Sequence, residues 1–203
     1  MSQQHFWNEK FQREGYLYGK EPNLFIKDSA HLFDKDKKFL CLGEGEGRNA
    51  IFFAKKGFAV TALDASNIGL KKLEEFGKSE GVHVLTICID LNEWLPTKQY
   101  GTIVASYLHM HVDDRKNLFY KIENCLEEGG YFVGEFFSVN QLNYNSGGPK
   151  NIDLLYKTDD FINNFKNCKK IKVEEKIVEL NEGKGHNGKA SVIRVILQKN
   201  ITA

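Results

Sequence analysis

Phe39-Leu-Cys-Leu-Gly-Glu-Gly-Glu-Gly-Arg-Asn-Ala-Ile-Phe-Phe-Ala-Lys-Lys-Gly57, read with Val60-Thr-Ala-Leu-Asp64, decides the fold. An apolar run leads into glycines at alternate positions, Gly43, Gly45 and Gly47. A helical pattern follows, then a second apolar run that ends in an acid. Asp64 stands 21 residues after Gly43. This spacing predicts a nucleotide-binding β-α-β unit, with the glycine turn under the ligand and the carboxylate on a ribose. Asp64 is the residue most sharply marked, because a carboxylate can accept hydrogen bonds from both vicinal hydroxyls. Its bland alternative is the N-cap of the following helix.

Outward from this unit, the N-terminal side reads as two short helices. One covers 2–14, with Phe6, Trp7 and Phe11 on one side. The other carries Leu24, Phe25, Leu32 and Phe33. Both are expected to fold over the ligand face. Strands are expected at 38–42, 58–63, 82–89, 101–108 and 131–137. The first two are separated by a helix over 47–56. Ser66 is expected to cap a helix carrying Leu70, Leu73 and Phe76. A further helix starts at Asp113-Asp114, buries Leu118, Phe119, Ile122 and Leu126, and ends at Gly129-Gly130. Segment 138–157 is irregular and polar, and a short helix follows to Phe165. Two last strands, 169–180 and 189–199, flank a glycine-rich loop, Asn181–Gly188. The pattern predicts an α/β fold: a Rossmann-like, seven-stranded sheet with strand 7 antiparallel, flanked by helices.

The 203 residues make one domain with enough chain for a sizeable core. A net charge of +1 gives no global field for nucleic acid or membrane, and the basic cluster Lys166–Lys176 is interrupted by Glu174 and Glu175. Cys41, Cys88, Cys125 and Cys168 lie far apart with no C-x-x-C. They read as reduced thiols in a cytoplasmic protein. No signal-like apolar segment is present at the N-terminus, and no run approaches a membrane span.

The glycine pattern is G-x-G-x-G, and Arg48 occupies the third glycine position of the dinucleotide fingerprint. It resembles motif I of the class I S-adenosylmethionine (SAM)-dependent methyltransferases, L-D-x-G-x-G-x-G-R-N, and the likeness runs from about Gly19 to the last strand. The resemblance implies SAM as cofactor. It would lie along Gly43, Glu44, Gly45, Gly47, Arg48 and Asn49, with its ribose at Asp64 beside Ala65 and Ser66. Its adenine would lie at Asp90 and Leu91, with Ser106 beyond strand four. Cys41 stands where the family usually has an acid that helps hold the ammonium, and Glu44 is the nearest compensating carboxylate. The resemblance divides the single domain 1–203 into an N-terminal helical cap (1–35), a SAM-binding core (36–137), and an acceptor-covering segment with the C-terminal hairpin (138–203).

On the acceptor side, His109, His111 and His186 are the candidate catalytic groups, since imidazole titrates near neutral pH. Gln141 and Tyr144 follow strand five on the same face. No H-E-x-x-H or cysteine pairing supports a metal site. Ala105-Ser-Tyr-Leu-His-Met-His111 lacks the Asn/Asp-Pro-Pro-aromatic motif of many base and glutamine N-methyltransferases. With the near-neutral charge, this points to a small-molecule acceptor and no nucleic-acid partner. Phe6-Trp7, Tyr18-Gly-Lys-Glu-Pro-Asn23 and Gly47-Arg-Asn49 are similar to the tellurite-resistance and thiopurine methyltransferase-like branch. That likeness implies soft acceptors such as thiols or metalloid oxyanions. Two other classes stay open: a non-catalytic SAM- or nucleoside-binding protein, and an NAD-dependent reductase, which Arg48 disfavours.

Overall fold

A computed structural model describes residues 2–201. The chain begins with α1 (Gln3–Phe11) and α2 (Leu24–Asp28), and α2 runs on into a 3-10 turn, Ser29–Leu32. Then come β1 (Lys38–Leu42), α3 (Arg48–Lys55), β2 (Ala59–Asp64), α4 (Asn67–Ser79), β3 (Leu85–Cys88), β4 (Tyr100–Ser106), α5 (Val112–Cys125) and β5 (Leu126–Phe137). After two 3-10 turns, the chain closes with α6 (Thr158–Asn164), β6 (Cys168–Glu182) and β7 (His186–Lys199).

The strands form one seven-stranded sheet in the order β3-β2-β1-β4-β5-β7-β6. β1 to β5 pair in parallel, and β7 lies antiparallel between β5 and β6. β6 therefore runs with the first five strands, and the β6–β7 turn lies at their carboxyl ends. The architecture is the expected Rossmann-like, seven-stranded α/β sheet with β7 antiparallel.

Side chains alternate across the sheet. Phe39 and Cys41 face the layer that contains Ile51, Phe53, Leu70 and Leu73, whereas Leu40 and Leu42 face Leu118, Phe119, Ile122 and Phe161. Both faces are thus covered, which is why the central strands are nearly continuous apolar runs. Ser66 caps α4 through its hydroxyl, which accepts the Gly69 N–H at 3.0 Å.

Some boundaries differ from the sequence reading. α5 stops at Cys125, and Leu126 already pairs with Tyr100 as the first residue of β5. Gly129-Gly130 therefore lies inside β5, in the irregular stretch where the β4–β5 register shifts between Tyr100 and Thr102. β3 spans Leu85–Cys88 only. α2 does not cover the ligand face: Phe25 and Ile26 pack into the sheet-face layer with Phe39 and Phe53. The β6–β7 connection is Gly183-Lys-Gly185, shorter than the eight-residue loop expected, and His186 opens β7.

That turn is shaped around the N-terminal segment. Gly185 N–H donates to the Leu17 carbonyl at 3.0 Å. Gly183 has φ +65°, and a Cβ there would lie 2.5 Å from the Gly19 nitrogen, so no other residue fits without moving the segment.

Candidate active site

A cavity opens at the carboxyl ends of β1 to β4. This is the position that open α/β sheets reserve for ligands. Of the residues singled out in the sequence, Gly43, Glu44, Gly45, Arg48, Asp64, Ala65, Asp90, Leu91, Ser106, His109 and His186 line it. Gln3, Trp7 and Phe11 of α1, Tyr18, Tyr107, Leu108 and Met110 complete the wall.

The glycine turn is held by two buried carboxylates. Asp64 Oδ2 accepts the Gly45 N–H at 2.8 Å, and Oδ1 accepts the Ser66 N–H at 2.7 Å. Each oxygen keeps a lone pair for a further donor. Burial pushes the Asp64 carboxyl up to about 6, against the pull of these two bonds. Gly47, at the start of α3, has no side chain to cap the helix, so Glu44 does so. Its Oε1 accepts both the Asn49 and Ala50 N–H groups at 2.8 Å. Burial raises Glu44 to about 7, while Ala50, Arg48 and Asn49 pull it down. Gly45 has φ +59°, and a Cβ there would meet the Phe11 ring at 2.8 Å, so the turn can lie directly under α1 only as glycine.

At the far end, Arg48 and His186 converge on Glu182. Arg48 Nη1 lies 3.0 Å from Glu182 Oε2, off the direction of a hydrogen bond, and remains a buried donor without an acceptor among the described residues. His186 Nδ1 lies 3.3 Å from the same oxygen. The imidazole is enclosed by Tyr18, Tyr107 and Phe137, at ring-centroid distances of 4.3, 4.4 and 5.1 Å. Burial pushes its pKa down, partly opposed by Glu182. His109, half-buried with Trp7 at 5.2 Å, is lowered to about 3 by burial, then by His186 and Lys10. Both imidazoles are therefore neutral at neutral pH. Tyr107 holds φ +50°, unique among the described non-glycine residues, and its hydroxyl donates to buried Glu135 at 2.5 Å.

Four expected residues lie outside the lining. His111 is exposed at the start of α5. Gly47 faces Leu73 of α4, and Ser66 is committed to the α4 cap. Asn49 is buried and bridges Ser106 Oγ at 3.1 Å and the Asn23 N–H at 2.9 Å. Segment 138–157 does not reach the lining either. Gln141 is spent on structure: its amide donates to Ser146 and Gly147, and its Oε1 accepts the Ser191 N–H. Tyr144 lies outside the lining too, its carbonyl accepting from Lys150 Nζ. Gln3, Met110 and Glu182 escaped the sequence reading, and no local motif marks them.

The profile of the tellurite resistance protein TehB family matches residues 19–197. The chain belongs to this family. A stretch of 97 residues is 30% identical to a Haemophilus influenzae protein named "Probable S-adenosyl-L-methionine-dependent methyltransferase TehB", covering 46% of this chain and 34% of that one. The match thus spans about a third of the length of this curated relative. The crystal structure of TehB from Haemophilus influenzae superposes with a TM-score of 0.74 at 17% identity, over 98% of this chain and 68% of that one. A SAM-dependent methyltransferase from Clostridium acetobutylicum gives a TM-score of 0.68 at 16% identity, over 97% of both chains. At these identities the structural likenesses carry the TehB-family fold. Among the described residues, no helix is long and apolar enough to cross a membrane.

Proposed function

We propose that the protein is a SAM-dependent methyltransferase acting on a small soft nucleophile, a thiol or a metalloid oxyanion. The observation that carries this reading is the division of one cavity into two ends. Free carboxylate lone pairs and tight glycine backbone lie at one end, and a neutral imidazole beside a buried guanidinium lies at the other. The cofactor fits the first end. Asp64 would take the ribose hydroxyls, Glu44 the ammonium that Cys41 cannot hold, and Asp90 with Leu91 the adenine.

Bound there, SAM supplies an electrophilic methyl on a sulfonium. The protein need only align the acceptor in line with it and exclude water, which lowers the barrier by up to about 7–11 kcal/mol. His109 and His186 stand on the acceptor side as neutral groups able to take up a proton. We assign the enzyme to the cytoplasm, in keeping with its four free cysteines.

The test is direct. The protein is incubated with methyl-labelled SAM and a panel of thiols, amines, carboxylates and metalloid oxyanions. Transfer of label to a thiol or oxyanion is expected. Label on none of them, with SAM demonstrably bound, would favour the non-catalytic alternative.

A further inference from the structure

Glu182 lies outside the cavity wall, yet its carboxylate sits between the two cationic or protonatable groups that matter most there. Oε2 is 3.0 Å from Arg48 Nη1 and 3.3 Å from His186 Nδ1, and Oε1 accepts from Asn23 Nδ2 at 3.2 Å. All three partners are buried and come from separate elements: Arg48 from α3, Asn23 from the cap of α2, and His186 from β7. Asn23 is itself fixed, because its Nδ2 also donates to Glu135 at 2.8 Å and its backbone N–H donates to Asn49. Glu182 is thus anchored independently of the histidine it faces.

An imidazole nitrogen beside an ionised carboxylate must carry the proton, since the carboxylate can only accept. In a neutral ring the other nitrogen is then bare. Three aromatic rings fix the imidazole plane, so the choice of tautomer decides what the cavity meets. We infer that Glu182 is a positioning residue for His186, holding the proton on Nδ1 and presenting a bare Nε2 to the methyl acceptor. This rests on the methyltransferase reading above. In the step served, a lone pair of the acceptor atom forms the new bond to the methyl carbon. The carbon–sulfur bond breaks with its electrons going to sulfur, and the acceptor's proton passes to Nε2.

The groups that set the charge around His186 are Glu182 on β6, Arg48 on α3, Glu135 on β5, His109 after β4, and the neutral phenols of Tyr18 and Tyr107. Glu135 is already paired with Arg194 at 2.6 Å, which leaves Glu182 as the carboxylate in contact with the ring.

Two measurements test the inference. In the wild-type protein with S-adenosylhomocysteine bound, nitrogen NMR on 15N-histidine-labelled protein should show His186 protonated at Nδ1 and bare at Nε2 near neutral pH. The opposite tautomer overturns the proposal whether or not an acceptor has been found, so its failure is separable from failure of the methyltransferase reading. With an acceptor in hand, Glu182→Gln should lower kcat at least about tenfold, on the scale of general-base contributions, and leave cofactor affinity near wild type. The acidic limb of the kcat–pH profile should move to lower pH, because the charge favouring the imidazolium is gone. Glu182→Asp should recover part of the rate. A folded Glu182→Gln protein with wild-type kcat and an unmoved limb would reject the role. A lowered melting temperature alone would mark a merely structural residue.

Discussion

Glu46 Oε2 accepts the backbone N–H of Leu17 at 2.7 Å, across 29 residues of sequence. Its other oxygen takes Lys72 Nζ at 2.9 Å, and the same ammonium donates to the carbonyls of Arg13 and Gly15. One acid inside the glycine turn thereby fastens the N-terminal segment to the carboxyl end of the sheet. Glu46→Ala leaves a buried N–H unsatisfied and should cost about 1–3 kcal/mol of stability. It should also speed hydrogen exchange across residues 3–19, with cofactor affinity falling because Trp7, Phe11 and Tyr18 lose their seat. Unchanged exchange in that segment would refute the fastening role.

Asp64 holds both Gly45 and Ser66 and keeps lone pairs free toward the cavity. Asp64→Ala should weaken SAM binding by about 1.5–3 kcal/mol, the scale of hydrogen bonds to a charged acceptor. Titration calorimetry on the folded variant measures this directly. Wild-type affinity would remove Asp64 from the ribose.

Much of this could be read from sequence, for a definite reason. Strands buried on both faces appear as apolar runs, and Gly43, Gly45 and Asp64 act within one β-α-β unit, where spacing along the chain fixes spacing in space. The end of α5 was not legible. Leu126 continues the helical apolar stripe, but pairing with Tyr100 takes it into the sheet, and periodicity does not record that competition. Glu46 and Glu182 were invisible for a related reason. Each is one glutamate among many until contacts formed across 29 and 159 residues give it partners.

Proton linkage should be visible at the two acids that hold the glycine turn. Burial raises Glu44 to about 7 and Asp64 to about 6, both above their ordinary values. The ligand-free folded state thus holds protons that the unfolded chain has released. The stability contributed by these protonated groups is full below the unfolded pKa values and is lost as pH rises through about 6 to 7. Hydroxyl and ammonium donors favour the ionised carboxylates, so binding should expel protons, and affinity should fall as pH drops through the same window. Calorimetry in two buffers of different ionisation enthalpy reports the release; zero release between pH 6 and 7 would contradict the assignment of both acids.

His186 and His111 should separate cleanly. His186 is enclosed in the cavity wall, and His111 is exposed outside it. His186→Ala should lower turnover with SAM affinity intact, whereas His111→Ala should change neither. Loss of turnover in the His111 variant would show that the acceptor approaches by a route other than the cavity mouth.

Gly183→Ala tests the docking of Leu17–Gly19 on the β6–β7 turn. The added methyl and the positive φ together should displace Tyr18, lower the melting temperature, and slow turnover more than they weaken SAM binding. A variant with wild-type melting and kinetics would mean the turn has room to spare.

Tyr18 and His186 meet ring to ring at 4.3 Å, so opposite regions of the sequence build one wall of the cavity. On a ribosome Tyr18 must wait for this partner until nearly all the rest of the chain has been made. The sheet can form around β1 to β5 well before that moment, but the wall that Tyr18 shares with His186 cannot. That wall is therefore completed late in synthesis, and a chain arrested before the final hairpin would hold the glycine turn and Asp64 without it.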